Sequence, residues 1–347
     1  QAVKQGWSVA ALLPQGYTRV LLPAGVSVPE RAELPLFGYT AVGMQRGKFY
    51  VAAIPTDKDY KWNPAQFSSL KLPELVAELK ATLPGNSIVN QLAHCALEYG
   101  CFTAQNIFYH RWEGGIPTTQ ACNARCLGCL SEAHSIVASP QCRLTKPPSV
   151  NEISELGRYH LGSPEAIISF GQGCEGEPSL NGELLAEAVD LMRRSTNQGT
   201  ININTNAGYF KGISKLVDAG LDSMRVTMFS CHPETYGHYH QPNYNFADVE
   251  AAVDYAVANR VQVAINLLVF PGFTDTEGQY IALNEFIDRH QVAMVQMRNL
   301  NLDPETMLRH FPPREAAFGM VELIERLQED WPGLSIGSYS HPYQRNN

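Results

Sequence analysis

Three of the eight cysteines in this 347-residue chain fall within eight positions of one another, as Cys122-x3-Cys126-x2-Cys129 in the run ACNARCLGC. Thiolates gathered this tightly in a loop point to a soft metal, because isolated structural cysteines have no reason to cluster. A structural zinc site wants four nitrogen or sulfur ligands, commonly as two C-x2-C knuckles. A second knuckle is absent here, although His134 or Cys142 could complete a tetrahedron. A [4Fe–4S] cube is ordinarily held by four cysteines. Three would leave one iron free to bind a small molecule, much as a catalytic zinc keeps a position open, so the triplet suggests a reactive cluster.

Further segments carry polar side chains of kinds that bind ligands. In SFGQGCEGEPSL (169–180), Gly173, Gly176, Glu177 and Pro178 describe a tight turn whose backbone can approach a ligand closely. NINTNAGYF (202–210) offers Asn204, Thr205 and Asn206; DSMRVTMFS (222–230) offers Arg225 and Ser230; Asn266 stands alone in an apolar run. A buried amide of that kind needs partners. Among the five remaining cysteines, Cys174 lies inside the glycine turn and is a candidate for contact with a substrate, and Cys231 follows a strand end. The loop CHPETYGHYHQPNYNF (231–246) is dense in His and Tyr, and His232 and Tyr236 are its pocket candidates for proton or hydrogen-atom transfer.

Elements must hold these groups together, and the chain has a clear rhythm. Strand-like GIPTTQ (115–120), AIISF (166–170), ININ (201–204), SMRVT (223–227), VQVAINLLVF (261–270) and AMVQM (293–297) alternate with helix candidates near 150–161, 181–196, 208–219, 246–259 and 276–290, with another at 314–330. That alternation predicts a parallel sheet with helical crossovers, either open or closed into a barrel, whose loops after the strands carry the chemistry. Residues 1–110 read differently, as short strands and turns followed by a helix at KLPELVAELKATL (71–83). We expect an N-terminal α+β or β-rich accessory domain over 1–110, a core over 111–305 and a helical C-terminal extension over 306–347.

A net charge of −8 with no block of Lys or Arg argues against nucleic acid as a partner. No apolar run is long enough to span a bilayer, and the cysteines are too sparse for a disulfide framework. A soluble, cytoplasmic protein without a membrane partner is the expectation.

The cysteine spacing in a loop after the first strand of a six-fold βα region resembles the radical S-adenosylmethionine (SAM) superfamily, over about residues 111–300. Gly176-Glu177-Pro178 is similar to the family's Gly-Gly-Glu-Pro element, with Glu175 where a Gly is usual; NINTNAGYF (202–210) looks like its Thr-Asn-Gly turn, with Ala207 inserted before Gly208. The resemblance implies a partial TIM-like (βα)6 barrel. It implies a [4Fe–4S] cluster on Cys122, Cys126 and Cys129, and SAM held by Gly173, Gly176, Glu177, Pro178, Asn204, Asn206, Arg225, Ser230 and Asn266. An external one-electron reductant of the flavodoxin or ferredoxin type would drive cleavage of SAM to a 5′-deoxyadenosyl radical, which takes a hydrogen atom from the substrate. With a separate N-terminal module, that substrate is expected to be a peptide or protein side chain, with a small metabolite as the alternative. The family often places an aromatic residue just before the third cysteine, beside the adenine; here the position is Gly128.

Overall fold

The computed structural model describes residues 9–25, 31–57, 69–133 and 137–343. His134, one of the two residues considered for a zinc site, lies outside them. In chain order the elements are β1 (Ala10–Leu12), β2 (Tyr17–Arg19), β3 (Tyr39–Gln45), β4 (Lys48–Val51), β5 (Ala53–Pro55), α1 (Leu72–Thr82), α2 (Ser87–Leu97), α3 (Phe102–Phe108), β6 (Glu113–Gly115), α4 (Val150–Leu161), β7 (Ile167–Phe170), α5 (Gly182–Ser195), β8 (Thr200–Thr205) and α6 (Phe210–Asp218). They continue with β9 (Ser223–Met228), α7 (Pro233–His240), α8 (Phe246–Ala258), β10 (Gln262–Val269), α9 (Glu277–His290), β11 (Met294–Asn299), α10 (Pro304–His310), α11 (Met320–Asp330) and β12 (Ser335–Gly337).

Strands β6 to β12 form one parallel sheet in the order β12-β11-β10-β9-β8-β7-β6, with helices on its outer face. The two end strands do not pair with each other, so the sheet is a half-barrel, the partial TIM-like architecture expected. It has seven parallel strands instead of six. The seventh, β12, comes from the segment read as a purely helical extension; its three residues are too few for period-2 patterning to reveal. The first strand also starts and ends earlier than GIPTTQ suggests, leaving 116–120 as connection toward the cysteines.

The strands are buried on both faces, yet the faces differ. Ile201, Ile203, Met224, Val226, Ile265 and Leu267 join the main apolar cluster under the helices. Residues one position away, Asn202, Asn204, Arg225, Thr227, Asn266, Gln296 and Arg298, are polar and turn the other way, because successive side chains alternate across a strand. The register sets Asn204 beside Arg225 and Asn266 beside both Thr227 and Gln296. A polar lumen results. Its lower part is tied up internally: the Glu113 carboxylate accepts from Ser169 Oγ (2.7 Å), Gln172 Nε2 (3.1 Å) and Ser340 Oγ (3.2 Å), and pairs with Arg225 at 3.4 Å.

Packing runs across residue 110. Leu72, Val76, Leu92, Ile107 and Phe108 of α1–α3 belong to the same apolar cluster as Ile153, Leu156 and Ile168 of α4 and β7. The first five strands form two small antiparallel sheets, β1-β3-β4 and β2-β5. The fully buried Arg19 fastens β2 to the opposite edge of the half-barrel, donating to the carbonyls of Tyr39 (3.1 Å), Val269 (3.1 Å) and Leu300 (3.0 Å). No helix among the described residues is long and apolar enough to cross a membrane.

Candidate active site at the mouth of the half-barrel

The cysteine loop follows β6 at the C-terminal ends of the strands, and neighbouring elements fix its path. The Ala121 carbonyl accepts from Glu177 N at 2.7 Å and that of Thr119 from Gly176 N at 2.8 Å, joining it to the loop after β7. A Cβ on Gly176 would sit 2.0 Å from the Ala121 oxygen, so only glycine allows this approach. Further along, Arg125 N and Leu127 N donate to the His240 (2.9 Å) and Tyr239 (3.1 Å) carbonyls, capping the last turn of α7. Arg143 binds both ends of the loop, through Gln120 O at 2.8 Å and Glu132 at 2.8 Å.

Cys122, Cys126 and Cys129 line one cavity of about 540 Å³ that opens into the lumen. All three are free thiols and half-buried. Burial pushes Cys122 up to about 11, and burial with the neighbouring Cys129 and Cys122 sulfurs pushes Cys126 higher still, so a metal has to displace protons there. Among the described residues, no three His, Cys, Asp or Glu side chains are grouped for a single metal ion. A cube does not require that, since each cysteine meets a different iron. The donor set therefore fits an iron–sulfur cluster. The wall fits a polar ligand as well: Asn204 Nδ2 and Asn266 Oδ1 are buried without a protein partner in residues that border the cavity.

The sequence profile of the radical SAM superfamily matches residues 116–283. That stretch is similar to the radical SAM superfamily. In fold the chain is similar to Streptococcus suis SuiB bound to the precursor peptide SuiA (10% identity over 73% of this chain and 53% of that one, TM-score 0.45). It is similar also to methylornithine synthase, PylB (15% identity, 79% of this chain and 76% of that one, TM-score 0.47), and to the [FeFe]-hydrogenase maturase HydG (15% identity, 78% and 63%, TM-score 0.44). The chain thus spans about half the length of SuiB. No curated protein matches the sequence.

Around the cavity, Gly173, Gly176, Glu177, Asn204, Asn206, Arg225 and Asn266 are brought together with the three cysteines. Several act on the protein itself. The Glu177 carboxylate accepts from Ser179 N (3.0 Å), Thr205 Oγ1 (2.5 Å) and Asn206 N (2.8 Å), fixing the turn after β8. Arg225 spends its terminal nitrogens on Gln296, Ser340 and Glu113. Asn206 holds Asn123 of the cysteine loop at 2.7 Å.

Other expected residues stand elsewhere. Cys174 packs in the main apolar cluster with its thiol against Cys95. Pro178 starts a short 3-10 turn, and Ser230 Oγ accepts from His232 N at 3.0 Å; neither borders the cavity. His232 is exposed at the start of α7, and Tyr236 is buried behind the loop, bonded to Tyr244 at 2.7 Å. The stretch read as a loop is helical over Pro233–His240, and this selects which of its rings face inward.

Those rings are Tyr239 and His240, which composition did not separate from their neighbours. Tyr239 stacks on Phe229 at 4.7 Å and sets its hydroxyl 2.8 Å from where a Gly128 Cβ would be, so an aromatic from α7 occupies the space beside that position. His240 Nε2 accepts from Phe229 N at 3.2 Å, so Nδ1 carries the proton, 3.2 Å from Cys126 Sγ. Burial holds His240 down to about 3, so the ring is neutral. Glu175, the departure from the family's glycine, is a brace: its carboxylate accepts from Thr118 N (2.7 Å), Thr118 Oγ1 (2.8 Å), Thr119 N (3.1 Å) and Gly171 N (2.5 Å). Burial pushes it up to about 7 against the pull of those donors.

Proposed function

We propose that this chain is a radical SAM enzyme that binds a [4Fe–4S] cluster through Cys122, Cys126 and Cys129 and removes a hydrogen atom from a small polar molecule held in the lumen. The observation that carries the reading is that the three thiols border one cavity with a polar strand face whose Asn204 and Asn266 amides hold unmet hydrogen-bonding groups. Bound there, the cluster and SAM would supply a 5′-deoxyadenosyl radical on receipt of one electron from a flavodoxin- or ferredoxin-type reductant. The protein supplies position and dryness. Glu175 and Glu177 lock the loops after β6, β7 and β8 to one another, while Tyr239 and Leu300 line the cavity with apolar surface.

A small molecule is favoured over a peptide side chain because the N-terminal residues help to wall the cavity. Leu12–Tyr17, Phe37 and Gly38 border it, and a volume of about 540 Å³ suits a compact ligand. Anaerobic reconstitution tests the proposal: the protein should turn brown, hold about four irons per chain and release 5′-deoxyadenosine when reduced with SAM. Colourless protein carrying stoichiometric zinc would refute it.

A further inference from the structure

The lumen holds two arginines, and their surroundings differ. Arg225 is paired with Glu113 and bonded to Gln296 and Ser340. Arg298, near the end of β11, also borders the cavity, but among the described residues it makes a single bond, from Nη1 to the Ser338 carbonyl at 2.8 Å. Among the described residues no carboxylate lies within ion-pairing distance of it. The acids bordering the cavity are spent: Glu175 and Glu177 are turned onto backbone and hydroxyl donors at the other side of the sheet. Glu113, outside the cavity lining, acts on Arg298 only from beyond pairing distance and is shared among Ser169, Gln172, Arg225 and Ser340.

A guanidinium stays charged in a protein, and taking it out of water without a counter-ion is unfavourable. Nε and Nη2 of Arg298 are not among the sealed, unpartnered atoms, as Nε of Arg225 is, and they carry no bond from any described residue. They are therefore open to the cavity as a planar two-donor fork, the geometry that takes a carboxylate through both oxygens. One step back along the sheet, the buried Asn266 Oδ1 lacks a donor while Asn266 Nδ2 is held by Thr227 at 3.0 Å. The register places Asn266 beside Gln296, two residues from Arg298 on the same face of β11.

We infer that Arg298 binds the carboxylate of the substrate and that Asn266 Oδ1 accepts a hydrogen bond from an amino or hydroxyl group of the same molecule, so that the substrate is a small amino or hydroxy acid. This rests on the radical SAM reading above and gives it a substrate class. The other carboxylate at hand is that of SAM itself. Location favours the substrate: the cysteine loop is tied at Ala121 and Asn123 to the loops after β7 and β8, while β11 is five strands away from β6 and Arg298 lies deeper than the Leu300–Asn301 backbone that meets Gly128.

The test uses anaerobically reconstituted protein with SAM, and thermal melting with L-alanine, L-lactate, L-alaninamide or L-lactamide as probes. The two acids should raise the melting temperature and the two amides should not; Arg298→Gln should abolish the shift. Arg298→Lys, which keeps the charge and loses the fork, should weaken apparent acid affinity about tenfold or more. It carries the test if Arg298→Gln loses its iron or its helical circular dichroism. Titration with SAM and with decarboxylated SAM separates the two carboxylates: affinity for both should be the same in wild type and variant within about threefold. Equal shifts from acids and amides, no shift from either acid, a shift that survives in Arg298→Gln, or weaker binding of SAM but not of its decarboxylated analogue in the variant would each overturn the assignment. Failure of the wild-type protein to release 5′-deoxyadenosine would instead refute the enzymatic reading, which the acid-binding measurement does not depend on.

Discussion

The proton on His240 is placed by a backbone amide 11 residues earlier: because Phe229 N–H occupies Nε2, the imidazole can only offer Nδ1–H to the Cys126 sulfur. A hydrogen bond to a cluster thiolate withdraws charge and favours the reduced state. With the proposed cluster bound through Cys126, His240→Ala should therefore lower its reduction potential while leaving iron content close to wild type, as read by an EPR-monitored redox titration. Cys126→Ala should lose the iron itself, with circular dichroism unchanged. At Gly176 the constraint is steric, a Cβ meeting the Ala121 oxygen at 2.0 Å. Gly176→Ala should cost about 1–3 kcal/mol of stability by chemical denaturation and weaken iron retention, because the cysteine loop has to move away. At this scale the closeness of the three cysteines, which border one cavity, was legible from spacing alone, whereas His240 was one His among several until α7 gave its residues an inner and an outer face.

Element boundaries decided what patterns could not. The alternation of strands and helices was visible from composition and period, but β6 and β12 are each three residues long, below the length at which alternation carries information. Helix α4 begins with a Ser149–Glu152 capping box, readable from sequence, and ends near the fully buried His160, whose Nε2 is 2.7 Å from the Trp112 carbonyl beside β6. Burial holds His160 down to about 4, below the ordinary value near 6.5. The depressed value means that the neutral ring is favoured in the folded state, so its contribution is full above about pH 6.5 and is lost as the pH falls through about 4. Unfolding free energies from denaturant titrations across this window should fall by up to about 3 kcal/mol toward acid. His160→Gln should flatten that decline.

Over the whole molecule, the N-terminal residues are part of the cavity wall. Arg19 joins β2 to the carbonyls of Val269 and Leu300, at the end of β10 and just after β11, and the adjoining Leu12–Tyr17 run borders the cavity. Arg19→Met would remove the guanidinium donor from three carbonyls, of which Val269 keeps Leu300 N, a loss of roughly 2–5 kcal/mol. Limited proteolysis should then cut within residues 9–57 well before the half-barrel. Reduced protein should also release more 5′-deoxyadenosine without substrate, because the cavity wall is loosened. Reading residues 1–110 as a separate module followed from their change of rhythm; the continuous apolar cluster through α1–α3, α4 and β7 shows that rhythm and packing are different properties.

The sequence by itself determined the parallel α/β rhythm and the cysteine triplet, because both are local: strand and helix periods repeat over a few residues, and three thiols within one loop stay close whatever the chain does elsewhere. Tertiary structure alone decided which polar groups were already spent. Arg225 and Arg298 are equivalent as letters, yet Glu113, Gln296 and Ser340 converge on the first from three distant segments and leave the second facing the cavity with one bond, to the Ser338 carbonyl. Such long-range satisfaction of hydrogen bonds is fixed only when the sheet is assembled.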